Sequence, residues 1–180
     1  MVTRYNADLA NNFGNLANRV LNMATSYCGG LVPRAREDGP LVGAAAHACT
    51  TLTDAMARLD FSNGFGAVWD FIRATNSYIE ERQPWALNKA GDNAATATVL
   101  GDCLEALRIV ALLASPLIPR ATEELWRRLG YSTPVTGERL PEAAGWGRLP
   151  AGATLDKGAP LFPRIDSERT VAEPGIPAEQ

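Results

Sequence analysis

The sequence has few of the residues on which metal centres, disulfides and acid–base catalysis depend. It has one histidine, His47, and three cysteines, Cys28, Cys49 and Cys103, which are tens of residues apart. This spacing fits no metal site and no disulfide framework, so we expect reduced core cysteines. His47 lies in an alanine-rich stretch without an evident acid, base or nucleophile partner. We expect no catalytic residue, no metal site and no cofactor in this chain.

Lysine is nearly absent. The 17 basic residues are 15 arginines and two lysines, and the formal net charge is −3. A protein that holds nucleic acid mainly by neutralising phosphates needs a clustered excess of Lys and Arg. We therefore expect no DNA partner, and an RNA ligand would have to be bound largely through shape, stacking and hydrogen bonds.

Long apolar runs and phosphate-binding loops are also missing. No segment approaches the roughly 18 to 20 apolar residues of a membrane span, and Met1 does not open a signal peptide. Neither G-x-x-x-x-G-K-[ST] nor G-x-G-x-x-G occurs. Adjacent carboxylates such as Glu80-Glu81 point about 100° apart on a helix, which is typical of a solvated face. The sequence predicts a cytoplasmic protein without a membrane partner.

Apolar residues that recur at spacings of three and four predict about five amphipathic helices. The first is expected at residues 5–27, where Gly29-Gly30 ends it, and the second at about 42–59. Ser62-Asn63-Gly64 is expected to turn into a third helix, which Pro84 stops or kinks. The last two are expected at about 93–115, with Asp92 as a cap, and at 121–129. Short connections favour an all-α fold, an antiparallel helical bundle.

The last third of the chain differs in composition from the rest. Nine of the 12 prolines lie at Pro116 or later, and the helical periodicity disappears beyond Tyr131. We expect a bundle at residues 1–130 and an irregular Pro/Gly-rich tail at 131–180 that packs back on it. Leu161, Phe162 and Ile165 are candidate anchors, and the last 15 or so residues, 166–180, are expected to be disordered.

A row of polar residues follows the predicted first helix, about 100° from its apolar stripe. The row is Asp8, Asn12, Asn15, Arg19, Asn22 and Ser26. Asparagine is a poor residue for a helix interior, so the row needs a reason. Asn amides and an Arg fork suit the edges of unpaired RNA bases. The structural alternative is that these side chains bond loop backbones or face solvent.

Gln83-Pro84-Trp85 is the second feature that stands out. Pro84 restricts the backbone directly before a large aromatic residue at a predicted helix break. An aromatic side chain that stacks on an unpaired base contributes about 1 to 3 kcal/mol. Alternatively, Trp85 is a core residue beside Ala86 and Leu87.

Three segments resemble the anticodon-binding domain of methionyl-tRNA synthetases. Arg-Tyr-Asn-Ala-Asp-Leu-Ala-Asn-Asn at 4–12, with Gly-Asn-Leu-Ala-Asn-Arg at 14–19, is similar to the helix that opens that domain. Asn-Ser-Tyr-Ile at 76–79 with Gln-Pro-Trp-Ala-Leu-Asn-Lys at 83–89, and Leu-Phe-Pro-Arg-Ile at 161–165, resemble later parts of it. The resemblance implies a class I synthetase helix bundle that reads the CAU anticodon.

The resemblance also implies the roles of individual residues. Asn15 and Arg19 would hydrogen-bond anticodon bases, Trp85 would stack under the first base, and Pro84 would shape its pocket. Asn12 and Asn76 would support the site. The implied partners are the anticodon stem-loop of methionine tRNA and the catalytic domain of the same synthetase.

The sequence departs from the whole family pattern in one respect. It contains neither the His-Ile-Gly-His nor the Lys-Met-Ser-Lys-Ser motif of the catalytic domain. Methionine activation, ATP binding and any zinc would therefore belong to another part of the synthetase, and this chain alone is expected not to be an enzyme. Two alternatives stay open: the anticodon domain of a valine, leucine, isoleucine or cysteine relative, and a helical protein-interaction module that docks through Trp146, Leu161 and Phe162.

Overall fold

The computed structural model describes residues 12–162. Within this range the chain forms six α-helices and two short 3-10 turns. The helices are α1 (Asn15–Tyr27), α2 (Leu41–Ala57), α3 (Phe61–Arg82), α4 (Pro84–Lys89), α5 (Asn93–Ala114) and α6 (Pro119–Arg128). The 3-10 turns are Val135–Gly137 and Glu142–Ala144. The predicted all-α bundle is confirmed, and the short helix α4 is an addition to it.

The start of α3 differs from the prediction. The carboxylate of Asp60 accepts a hydrogen bond from the backbone N–H of Asn63 at 3.2 Å, which caps a helix that begins at Phe61. Ser62-Asn63-Gly64 is therefore the first turn of α3 and not the turn before it. A Cβ at Gly64 would lie 3.1 Å from Ala55 and Leu52, so this glycine lets α2 and α3 pack closely.

The end of α2 also differs from the prediction. This helix ends at Ala57, whereas the apolar pattern extends to Leu59. Leu59 has a φ of 59° and its side chain is 74% exposed, so its expected place in the buried stripe is wrong.

Helix α5 is the centre of the bundle and contacts each of the other five helices. Its N-terminus is capped by Asp92, as predicted, through a 3.0 Å bond from the N–H of Ala95. All residues from 99 to 114 are buried, so the helix has no solvated face along this length. Helices that are apolar on all sides lie inside a fold, and any charge that they carry must be paired there.

Three charged residues of α5, Asp102, Glu105 and Arg108, are buried in this way. Asp102 receives the Arg36 backbone N–H and guanidinium at 2.7 to 2.9 Å, and the hydroxyl of Tyr78 at 2.7 Å. This group joins the loop before α2 to the last turns of α3 and to the middle of α5. The carboxylate pairs with the positive charge of Arg36 and fixes the orientation of the Tyr78 ring.

Glu105 and Arg108 attach the segment after α6 to the bundle. The Glu105 carboxylate accepts hydrogen bonds from Nε and Nη2 of Arg108 and from the backbone N–H groups of Gly147, Arg148 and Leu149, at 2.7 to 3.1 Å. Arg108 also donates to the carbonyl groups of residues 143 and 145. The sequence pattern did not reveal this pair, although two opposite charges three positions apart in a long apolar run were a signal for it.

The remaining part of the segment crosses α6 and returns along α1. Leu31 and Thr154 form an isolated antiparallel bridge, and the Arg128 guanidinium donates to the carbonyl groups of residues 157 and 159. Phe162 packs against Phe13 with ring centroids 5.7 Å apart. The candidate anchor Phe162 is thus buried, Leu161 is half-buried, and Ile165 and residues 166–180 lie outside the described range.

No helix between residues 12 and 162 is long and apolar enough to span a membrane. In the same range, no cluster of three or more His, Cys, Asp or Glu side chains could hold a metal ion.

Candidate nucleic-acid interface

Arg19 and Trp85, which are 66 positions apart in the sequence, meet at one surface. Arg19 lies on α1 and Trp85 in the first turn of α4, and the guanidinium carbon is 5.9 Å from the centroid of the indole ring. This distance is within the range of a cation–π contact. Trp85 is half-buried, so its ring contributes to the core and also borders solvent. Trp85 is therefore partly a core residue, and the rest of its ring is open to solvent, as a stacking surface requires.

The corner between α3 and α4 sets the position of Trp85. Gln83 has φ 45° and ψ 60°, a left-handed conformation that ends α3. Pro84 then occupies the first position of α4, where its missing N–H costs no helical hydrogen bond. Its ring is buried, and the Gln83 carbonyl accepts the N–H of Ala86 at 2.8 Å. Pro84 therefore stops α3, as the sequence predicted, and also begins a new helix.

Glu80 completes this group. Its carboxylate accepts a hydrogen bond from the Arg19 guanidinium, and the two side chains are 58% and 35% exposed respectively. Such exposed ion pairs contribute only about 0 to 1 kcal/mol, so little free energy holds the carboxylate against Arg19. Glu80 is exposed, as the sequence predicted. Its pairing with Arg19 was not predicted, because no local pattern connects residues 61 positions apart.

The asparagines of the polar row face solvent. Asn12, Asn15 and Asn22 are exposed, and within residues 12–162 their side chains make no hydrogen bond. Asn15 lies one helical turn before Arg19 and continues the same surface. These side chains were expected either to bond loop backbones or to face solvent, unless they bind a ligand. They face solvent, and no bond to a loop backbone is observed in the described range. Asp8 lies outside the described residues.

Asn76 lies one turn before Glu80 on α3 and is half-buried. Its side-chain amide donates to the carbonyl of Ile72, on the same helix, at 3.1 Å. In the described part of the chain, no hydrogen bond connects Asn76 to Arg19 or Trp85. The structure thus brings Arg19, Trp85 and Pro84 together, with Asn15 beside them, and Asn76 makes its only side-chain hydrogen bond in the described range within its own helix.

Comparison with known proteins assigns the family. The family model described as the anticodon binding domain of methionyl tRNA ligase matches residues 32–173. The chain belongs to this family. The resemblance predicted from the sequence is therefore confirmed, and the methionyl family is favoured over its valine, leucine, isoleucine and cysteine relatives.

Full-length relatives show how much of such a ligase this chain represents. It is 42% identical over 177 residues to the methionine–tRNA ligase of Streptomyces coelicolor, with 92% of this chain and 33% of the relative covered. It is 36% identical to the enzyme of Thermosynechococcus vestitus, covering 96% of this chain and 34% of the relative. The chain thus spans about a third of the relatives that it matches.

A solved structure supports the same assignment. The apo form of Mycobacterium tuberculosis methionyl-tRNA synthetase aligns with a TM-score of 0.77 at 33% identity. The alignment covers 92% of this chain and 34% of that structure. The chain therefore has the fold of part of a methionyl-tRNA synthetase.

Proposed function

We propose that this chain reads the CAU anticodon of methionine tRNA as the anticodon-binding region of a methionine–tRNA ligase. The observation that carries the proposal is the meeting of Arg19 with the Trp85 ring at 5.9 Å. Two residue types suited to unpaired bases, from distant parts of the sequence, share one solvent-facing surface. Membership in the methionyl family supports the choice of the CAU anticodon as the ligand.

The arrangement suits recognition of splayed bases. Trp85 offers a ring on which the first anticodon base can stack, and Pro84 holds that ring at the start of α4. Arg19 offers a planar donor fork beside the ring, and Asn15 adds an amide with both a donor and an acceptor. Because the chain carries a net charge of −3, stacking and hydrogen bonds are expected to supply most of the affinity.

Catalysis belongs, in this proposal, to the rest of the ligase. The chain would act with the catalytic domain of the same synthetase, which would bind ATP and any zinc. His47, the only histidine, is exposed on α2 and forms no hydrogen bond within residues 12–162. We propose that the chain alone needs no cofactor, catalyses no reaction, and binds neither DNA nor membranes.

The side chains offered for a protein-interaction module are engaged within the fold. The Trp146 indole N–H donates to the carbonyl of Arg36 at 2.6 Å, and Phe162 is buried against Phe13. Leu161 is half-buried. A partner that docked on these residues would have to displace contacts within the chain, which argues against this alternative.

The proposal is tested by titrating the chain with a CAU anticodon stem-loop and with a loop changed at the first anticodon base, at low salt. We expect the chain to prefer CAU, and Trp85→Ala and Arg19→Ala each to weaken CAU binding about fivefold or more. Arg58→Ala is the charge-matched control, since Arg58 is exposed at the end of α2, away from this surface. Trp85→Phe keeps a stacking ring and should retain part of the affinity.

Circular dichroism of each variant establishes that the helices are intact before binding is compared. Equal binding of both loops by a folded chain would contradict anticodon reading by this surface. So would a loss of affinity in Arg58→Ala as large as that in Arg19→Ala, because the effect would then reflect charge alone.

A further inference from the structure

A groove lies beside the corner between α3 and α4. It has a volume of about 440 Å³, and its walls include Arg36, Tyr78, Glu81, Arg82 and Leu87. Trp85 and Leu87 are two positions apart on α4 and therefore point about 200° apart. A helix with its side chains is about 10 Å wide, so the width of this short helix separates the groove from the Trp85 surface.

The groove repeats the combination of arginine and aromatic ring found at Trp85. The guanidinium carbon of Arg82 lies 5.7 Å from the centroid of the Tyr78 ring. Tyr78 is only 5% exposed, and its hydroxyl donates to the buried carboxylate of Asp102 at 2.7 Å. The ring is thus a fixed support, and Arg82, which is exposed, presents a guanidinium plane to the groove.

Charge in the groove favours a base over a phosphate. The Arg36 guanidinium is already paired with Asp102, at 2.7 Å. Arg82 and Glu81 form no ion pair within residues 12–162, although both border the groove. One free donor fork beside one free carboxylate gives no net attraction for an anion. It does match the edge of a nucleobase, which has both acceptors and donors.

We propose that this groove binds a second unpaired base of the anticodon stem-loop, a neighbour of the base on Trp85. Arg82 would stack on that base through its guanidinium plane, and Glu81 would accept from the amino or imino group of the base. Tyr78 is a positioning residue, because it holds Arg82 without contacting the base. This inference rests on the function proposed above, since it requires the stem-loop to bind at Trp85.

Abasic substitution tests the proposal one loop position at a time. Each loop nucleotide of the CAU stem-loop is replaced by an abasic one, and binding is measured for the wild type and for Arg82→Ala. At one position other than the base on Trp85, we expect the abasic change to weaken wild-type binding about fivefold or more. The same change should have almost no effect on Arg82→Ala, because the contact has already been removed.

Two further variants separate a base contact from a phosphate contact. Arg82→Lys keeps the charge but loses the guanidinium plane, so it should behave like Arg82→Ala. Glu81→Gln should change the preference for the base identity at the same loop position. Arg73→Ala is the control, because Arg73 lies on the same helix, exposed and paired with Asp70. It should leave the abasic profile unchanged.

The outcomes distinguish this inference from the proposed function. If the wild type does not prefer CAU, the function itself fails. If it prefers CAU but Arg82→Ala weakens every abasic loop by the same factor, the groove binds no base and only this inference is overturned. Wild-type binding by Arg82→Lys would also overturn it, since charge without a plane would then suffice.

Discussion

Removal of the Glu105 carboxylate is expected to be the most damaging single change in the described fold. Glu105 is fully buried, and it accepts two bonds from Arg108 and three from the backbone of residues 147–149. Glu105→Ala would leave Arg108, which is 2% exposed, as a buried cation without a counter-charge. Breaking a buried ion pair from one side costs about 3 to 5 kcal/mol. We expect a loss of this size in the free energy of unfolding.

Two variants refine this expectation. Glu105→Gln keeps the shape and one acceptor oxygen but loses the charge, so it should cost less, about 1 to 3 kcal/mol. Glu138→Ala removes an exposed carboxylate from the same segment and should cost less than about 0.5 kcal/mol. Urea unfolding followed by far-ultraviolet circular dichroism measures all three.

Hydrogen exchange at residues 147–149 shows where the damage lies. If the segment leaves the bundle in Glu105→Ala, these amides should exchange faster than those of α5. A loss below about 1 kcal/mol in Glu105→Ala, with unchanged exchange at these amides, would refute the reasoning. It would mean that the buried pair does not hold the segment in place.

Three other changes test separate parts of the structure. Gly101→Ala should lower the free energy of unfolding in urea by about 1 to 3 kcal/mol, because the added Cβ would lie 2.6 Å from the Arg34 carbonyl oxygen. Its control is Gly43→Ala, which adds a Cβ in open space on α2 and should be neutral or stabilising. Arg127 and Arg128 lower the pKa of Glu124 to about 2, so its stabilisation is present above pH 4.5 and is lost as the pH falls towards 2; Glu124→Gln should flatten that part of the urea-midpoint profile. Glu80→Gln should tighten CAU stem-loop binding up to about fivefold at low salt, measured by titration, since it releases Arg19 and removes a negative charge; weaker binding would contradict this.

The helices could be predicted because their signals are local. The apolar spacing of α1, the cap at Asp92 and the stop at Pro84 each depend on a few neighbouring residues, and the structure has all three. The prediction failed at the end of α2, where the backbone at Leu59 has a positive φ and leaves the helix. Leu59 continues the apolar stripe of α2 in the sequence, but the helix ends two residues earlier and exposes it.

The candidate site could be predicted as residues but not as an arrangement. Arg19 and Trp85 stood out by residue type, and family resemblance suggested a common role. Their contact, and the pairing of Arg19 with Glu80, depend on how α1 packs beside α3 and α4. The same limit applies to the buried Asp102, whose partners Arg36 and Tyr78 come from two other elements. Sequence spacing carries no information about such long-range contacts.

The corner at Gln83 and Pro84 has a consequence for the thermodynamics of RNA recognition. Proline has a fixed φ, and Gln83 already adopts its left-handed conformation in the protein without ligand. Ordering a backbone residue costs about 1 to 2 kcal/mol of conformational entropy. At this corner the entropy is lost when the protein folds, and not when a ligand binds. The loss of freedom on binding is therefore expected to lie mainly in the RNA loop. In the proposed complex, the protein would therefore be a preformed template on which the RNA loop becomes ordered.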